Sequence, residues 1–329
     1  MSNSSDIEPV LKVRGLTVAY GPLERPIRAV ADVDLTVKSG EIVGIAGESG
    51  SGKTTLCTAL LRALPVNARV SGTVHFEGRP LFDMTEPEMR QLRGRKIAMI
   101  LQNPMTSLDP LFTIGNQIEE VLRTHHAKVP ARKLRDRTIE LLRRVHITAP
   151  ESRVRQYPHE ISGGMKQRIL TAMATSSSPS LLVADEPTTA LDVTVQEEIL
   201  VLFQEIRERS GSAIIIITHD LGVIRRVCDR IVVMYAGRIV EEGPTEEIFA
   251  APRHPYTRGL LNSLPVLKDD AIVLSSIPGQ VPNLSDLGPG CAFAERCSSV
   301  VQGCTERMPP EVPVGPDHRA FCCRLLDRS

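Results

Sequence analysis

Gly47–Glu48–Ser49–Gly50–Ser51–Gly52–Lys53–Thr54–Thr55 follows the apolar run Ile42–Ala46 and precedes Leu56–Leu61, which reads as a helix. Strand, glycine loop and helix form the setting in which the pattern GxxxxGK(S/T) becomes a phosphate site. Gly47, Gly50 and Gly52 let the backbone curl so that its N–H groups point inward at phosphate oxygens. The positive end of the following helix strengthens that field. Lys53 is then placed to reach the β- and γ-phosphates, and Thr54 to offer its hydroxyl to Mg²⁺. Ser49, Ser51 and Thr55 complete the set of loop residues expected to touch the nucleotide. A glycine-rich turn that binds nothing is the bland alternative, and the Lys–Thr pair argues against it.

The totals narrow the field. A chain of 329 residues accommodates one large α/β domain with an appendix, or two domains. Acidic and basic residues balance at 39 each, so no global field draws the chain to nucleic acid or anionic lipid. No apolar run approaches the ~20 residues of a bilayer span. The start, Met1–Asp6, lacks the basic and apolar regions of a secretory signal, and the expected location is the cytosol. In a reducing compartment the seven cysteines are not expected to pair as structural disulfides. Trp is absent and aromatics are few, which leaves little for stacking on single strands.

Residues 10–37 alternate as antiparallel strands do, with the turn-rich insert Gly21–Pro26 between them. Val70–Phe76 and Lys96–Leu101 read as further strands. From about 104 to 176 the periodicity is helical, most clearly over Ile114–Leu122 and Thr138–Val145. Leu181–Ala184 and Ala213–Ile217 are apolar throughout, as buried parallel strands are, and a helix over Val195–Arg209 lies between them. Ile231–Met234 and Arg238–Glu241 predict a hairpin. After about Pro252 the chain is punctuated by Pro and Gly, and a domain boundary is placed there: 1–250, then 251–329.

The strand Leu181–Ala184 runs into two adjacent acids. Period-two geometry sends Asp185 and Glu186 to opposite sides, which implies different jobs. Asp185 is the candidate for the Mg²⁺ shell. Glu186 is the candidate general base that polarises the attacking water.

The order of these pieces resembles the ATP-binding cassette (ABC) ATPases. Ile161–Ser162–Gly163–Gly164–Met165 looks like that family's signature, Asp192 matches its D-loop and His219 its switch histidine. Gln102 matches its Q-loop, and Tyr20 the aromatic that stacks on adenine, with an exposed turn tyrosine as the alternative. The resemblance covers about residues 10–250 and implies a RecA-like parallel core, an antiparallel β subdomain and a helical subdomain over 104–176. It implies that Ser162, Gly163, Gly164 and Asp192 complete the ATP site of a partner cassette. It also implies that His219 contacts the γ-phosphate, and that Gln102 binds Mg²⁺ or the water. Two departures stand out: Ile161 replaces the usual Leu, and Met165 the usual Gln. Methionine there is associated with the importer branch.

His254–Pro265 is similar to a segment of the di-/oligopeptide and nickel importer ATPases. Cys291, Cys297, Cys304 and Cys322 follow, separated by five, six and seventeen residues. In several members of that family such a pattern holds a [4Fe–4S] cluster; zinc is the alternative metal, and free thiols the alternative state. Cys323 is the rival fourth ligand, and the resemblance implies Cys322, which lies four residues after His318 as that family's last cysteine does. Cys57 and Cys228 read as packing residues. The resemblance implies the ATPase of a peptide importer on the cytoplasmic side of the membrane. Its partners would be a second, non-identical cassette, two permeases and an extracytoplasmic solute-binding protein. Rival readings are nickel as the solute, a soluble ABC ATPase acting on nucleic acid or ribosomes, and a redox-sensing regulator.

Overall fold

Alternating residues along Pro9–Tyr20 and Ile27–Lys38 bury one face of each strand and leave the other wetter. With Arg69–Phe76 and Arg79–Pro80 they form a four-stranded sheet. Pro9–Tyr20 and Arg69–Phe76 pair antiparallel, with Leu11 opposite Phe76 and a register shift between Arg14 and Thr17. The computed structural model describes residues 8–125, 130–189, 191–264, 266–268, 271–273 and 276–328. Contacts divide the chain into two units. One is built from the described parts of Met1–Val10, Lys38–Glu41 and Asp83–Ile216, the other from those of Leu11–Val37, Ile42–Phe82 and Ile217–Ser329.

In the first unit Ile97–Ile100 pairs parallel with Leu181–Asp185, Ile100 facing Ala184. Ala213–Ile217 lies on the other side of Leu181–Asp185 and is buried throughout, as its all-apolar sequence requires. The expected helical region holds Ile114–His125, Ala131–Arg144 and Gly163–Thr175, with the short helices Pro104–Ser107 and Pro150–Arg153. The helix Val193–Ser210 ends on Gly211 at φ 66°, a left-handed cap that glycine accepts without strain.

In the second unit the strand order is Val312–Gly315, His318–Ala320, Arg238–Pro244, Arg230–Tyr235, Ile42–Ala46. Ile42–Ala46 runs parallel to Arg230–Tyr235, and Arg238–Pro244 returns antiparallel as the expected hairpin. The last part of the chain joins this sheet: His318–Ala320 pairs antiparallel with Arg238–Pro244, Ala320 opposite Glu241. Cys57 and Cys228 are buried.

A buried polar cluster fastens the chain's last fifth to the sheet. Glu241, fully buried, accepts from the N–H groups of Arg253 (2.7 Å) and His254 (2.8 Å) and lies 2.8 Å from His318 Nε2. Burial alone would raise the Glu241 carboxyl, but the hydrogen bond to His318 and those from the two N–H groups outweigh it and hold the pKa below the usual range. Burial also pushes His254 down to about 4 from an ordinary 6.5, so its ring stays neutral, and Nδ1 accepts from Tyr256 N at 3.1 Å. Both groups bind protons more readily in the unfolded chain, so both lend stability that is lost as pH falls. For His254 the loss runs from about 6.5 down to about 4. Thermal melting of the full chain should therefore shift downward from pH 7 to pH 4.5, by on the order of 3 kcal/mol at most for His254. A melting temperature that does not move over that range would refute the account.

Candidate functional site

The second unit carries the phosphate loop. Five buried residues, Ile42–Ala46, deliver the chain to Gly47, and the helix Lys53–Leu60 begins immediately after Gly52. Gly52 sits at φ 98°, and a Cβ there would lie 2.2 Å from the Ala29 carbonyl oxygen, so only glycine fits. Gly237 accepts from Ala31 N (2.8 Å) and donates to the Ser51 carbonyl (3.0 Å), bracing the loop from the hairpin turn. No side chain caps the helix start among the described residues, and its positive end faces the loop. The buried Lys53 ammonium donates to the Gly47 carbonyl at 2.7 Å, the Glu48 carbonyl at 2.8 Å and Ser51 Oγ at 3.2 Å. Ser49, Gly50 and Thr54 are exposed, and Thr55 is half-buried. A cationic group, a helix N-terminus and exposed hydroxyls thus converge on one turn, a combination made for polyphosphate.

His219 is exposed just beyond Ala213–Ile217. Its predecessor Thr218 donates its N–H to the Ile45 carbonyl at 3.2 Å, which ties the histidine's loop to the strand that leads into the phosphate loop. Asp220 caps the helix Leu221–Val227, its Oδ1 accepting from Gly222 N at 2.8 Å. Tyr20 is half-buried at the end of its strand, and the following turn is held by Arg69, which donates to the Gly21 carbonyl.

The first unit carries the other site residues. Parallel pairing brings the ends of Ile97–Ile100 and Leu181–Asp185 to one sheet edge, where Gln102 is exposed and Asp185 buried. Strand alternation does not explain Glu186. The strand stops at Asp185, and Glu186 lies at φ 48°, a left-handed conformation uncommon outside glycine and costly to hold. The Thr189 hydroxyl donates to Glu186 Oε2 at 2.6 Å and orients the carboxylate. Sequence reasoning missed this contact, although a threonine three residues on is within reach of such a bond.

Ser162 caps the helix Gly163–Thr175, its Oγ accepting from Met165 N at 3.3 Å. Gly164 admits the helix Val193–Ser210 so closely that a Cβ would stand 2.4 Å from Val195 Cγ1. Asp192 caps that second helix, accepting from Val195 N at 3.0 Å. The neighbouring Ala190 lies outside the described residues.

The cysteines of the last stretch gather. Burial pushes the Cys291 thiol up to about 11, and Cys304, Cys322 and Cys297 add to the effect, so all four lie within electrostatic reach. Burial raises Cys297 and Cys322 too, and again Cys304 contributes to both. Cys323 is pushed up to about 11, first by burial and then by Cys304, with which it also hydrogen-bonds. Among the described residues no group of three or more His, Cys, Asp or Glu side chains is arranged to hold a single metal ion. Four thiolates around one zinc ion would stand roughly 3.8 Å apart, from Zn–S bonds of ~2.3 Å. The thiols are soft donors of the kind that both zinc and iron–sulfur clusters take.

Sequence reasoning also missed a link from the chain's last fifth to the phosphate loop. Glu48 donates its N–H to Tyr256 Oη at 2.8 Å, and Arg296 donates to both Glu48 carboxylate oxygens, at 2.7 and 3.0 Å. These partners lie more than 200 positions from Glu48, and no local pattern announces them.

Comparison with known proteins agrees with this geometry. The ABC transporter family profile matches residues 30–189, and the profile of the oligopeptide/dipeptide transporter C-terminal region matches residues 240–304. A Sinorhizobium fredii protein, named a peptide ABC transporter ATP-binding protein, is 46% identical over 98% of this chain and 97% of its own. A Brucella ovis protein, named a peptide import ATP-binding protein, is 46% identical over 96% and 97%. Among solved structures, a dimeric ATP-binding cassette in a post-hydrolysis state with ADP and phosphate superposes with a TM-score of 0.63. It is 29% identical, covering 71% of this chain and 98% of that one. A cassette from Clostridium perfringens, part of an ABC transporter complex, gives 0.63 at 28% identity, covering 74% and 92%.

Proposed function

The chain belongs to the ABC transporter ATP-binding proteins, and from that premise we propose how its residues couple ATP to peptide uptake. It is an ATPase, the motor subunit of a peptide importer. The observation that carries the reading is the phosphate loop itself, where the Lys53 ammonium and an uncapped helix start meet at one turn.

In the proposed mechanism the triphosphate enters that turn, and Lys53 exchanges its carbonyl partners for β- and γ-phosphate oxygens. Tyr20 stacks on the adenine. Thr54, Gln102 and Asp185 offer oxygen donors of the hard kind that Mg²⁺ takes, and Mg²⁺, when bound, offsets charge on the β- and γ-oxygens. Glu186, oriented by Thr189, accepts the proton of the attacking water. His219 contacts the γ-phosphate. Ser162, Gly163, Gly164 and Asp192 serve the site of a partner cassette, so that ATP draws two cassettes together and hydrolysis releases them.

As an importer ATPase the chain works with membrane permeases and as one of a pair of cassettes. We propose that the pair is non-identical, that two permeases bind it at the cytoplasmic face, and that a solute-binding protein outside delivers the peptide. A peripheral place is compatible with the helices: among the described residues none is long and apolar enough to cross a membrane. Residues 1–250 form the cassette and 251–329 an extension in which Cys291, Cys297, Cys304 and Cys322 hold a [4Fe–4S] cluster. Burial raises the Cys291, Cys297 and Cys322 thiols, so loading must expel protons from them.

Two measurements test the reading. Reconstituted with its permeases and binding protein, the chain should hydrolyse ATP faster when peptide is added; turnover indifferent to every peptide offered would exclude peptide as the solute. Protein purified without oxygen should be brown and carry about four irons per chain. Colourless protein with zinc would remove the cluster from the account.

A further inference from the structure

Arg296 is more elaborately held than a surface arginine needs. Its side chain is 5% exposed, and its two terminal nitrogens grip the two Glu48 oxygens in a parallel fork. Of the remaining donors, Nε meets the Pro278 carbonyl at 2.9 Å, one terminal nitrogen also the Ile277 carbonyl at 3.3 Å, and the other the Tyr235 hydroxyl at 3.3 Å. The guanidinium carbon stands 5.8 Å from the ring centres of both Tyr235 and Phe293, which pack edge to face. Such a site fixes the charge in space, and what it fixes is a residue of the phosphate loop.

Glu48 joins three things at once. Its carbonyl accepts from Lys53 Nζ, its N–H is held by Tyr256 Oη, and its carboxylate is held by Arg296. A carboxylate beside a triphosphate site is a liability, since like charges repel across a half-buried turn where water screens poorly. The arginine cancels that charge and sets the peptide unit whose carbonyl positions the lysine.

We infer that Arg296 is a positioning residue for the nucleotide, neutralising and holding Glu48 and through it setting the phosphate loop and Lys53. The cysteine-rich extension that supplies it is then part of the nucleotide-binding apparatus. The inference rests on the ATP-binding reading above and adds a residue to it. Arg296 acts on binding rather than on the proton transfer assigned to Glu186, so its loss should raise KM and spare kcat.

The test uses the full chain and ATP itself, with equilibrium binding measured beside steady-state hydrolysis. Arg296→Met should raise KM and Kd for ATP about tenfold and leave kcat within about twofold. Adding Glu48→Gln to Arg296→Met removes the orphaned charge and should return KM to within about threefold of the unaltered chain. Loss of packing alone would not be repaired by that second change. Should Arg296→Met fail to fold, Arg296→Lys keeps the charge but loses the fork, and should raise KM about threefold. The inference falls if the folded single variant binds ATP as the unaltered chain does, or if Glu48→Gln restores nothing in its background. If the unaltered chain binds no ATP, the proposed function fails and the inference with it; normal binding by the unaltered chain beside an indifferent variant sinks the inference alone.

Discussion

Glu186→Gln should leave ATP binding intact and cut steady turnover by roughly 10²–10⁴-fold, the range that a positioned general base contributes. The substitution is nearly isosteric, and the amide oxygen can still accept from the Thr189 hydroxyl that now meets Glu186 Oε2 at 2.6 Å. Only the capacity to take a proton from water is removed. The unusual backbone at Glu186, φ 48°, argues that the direction of this side chain is fixed at a cost, as positions that serve chemistry often are. Bound nucleotide and phosphate release measured on the same preparation check the expectation. Turnover within tenfold of the unaltered chain would transfer the base's role elsewhere.

Lys53→Ala should weaken ATP binding by at least about a hundredfold, with hydrolysis lost in consequence. The ammonium stands against the Gly47 and Glu48 carbonyls and Ser51 Oγ. Removing it forfeits two or three charge-assisted hydrogen bonds to phosphate, each worth about 1.5–3 kcal/mol. It also leaves carbonyl oxygens turned toward an anion with no cation between them. Calorimetric titration of the full chain with ATP settles the matter, and an affinity within fivefold of the original would contradict it.

Much of this molecule was legible because its signals are local. Ile42–Ala46, the glycine loop and Lys53 declare themselves by composition and by spacing of a few residues. Ala213–Ile217 has the bounds that its isoleucine run predicts. The helix Ala131–Arg144 starts seven positions before the clear periodicity at Thr138, since its charged first turns offer no apolar stripe to read. Helix Pro255–Asn262 escaped for a related reason: its start is marked by His254 acting as a cap, a job usually given to Ser, Thr, Asp or Asn. Glu186 stands one residue past the end of its strand at φ 48°, so alternation along the strand does not set its direction. The strands Val312–Gly315 and His318–Ala320 are too short to show a period, and the contact that fixes them, His318 with Glu241, spans 77 positions. Arg296 and Glu48, 248 apart, belong to the same class of fact: only folding brings them together.

The final strand has a practical consequence for anyone cutting the protein down. Stopping the polypeptide near Ala250 would strip His318–Ala320 from the sheet and leave Arg238–Pro244 as a raw edge, open to pairing with other molecules. The same cut would bare the Tyr235 ring and withdraw every N–H that now quiets Glu241. A minimal fragment made this way would clump, and its nucleotide affinity would describe the fragment rather than the whole.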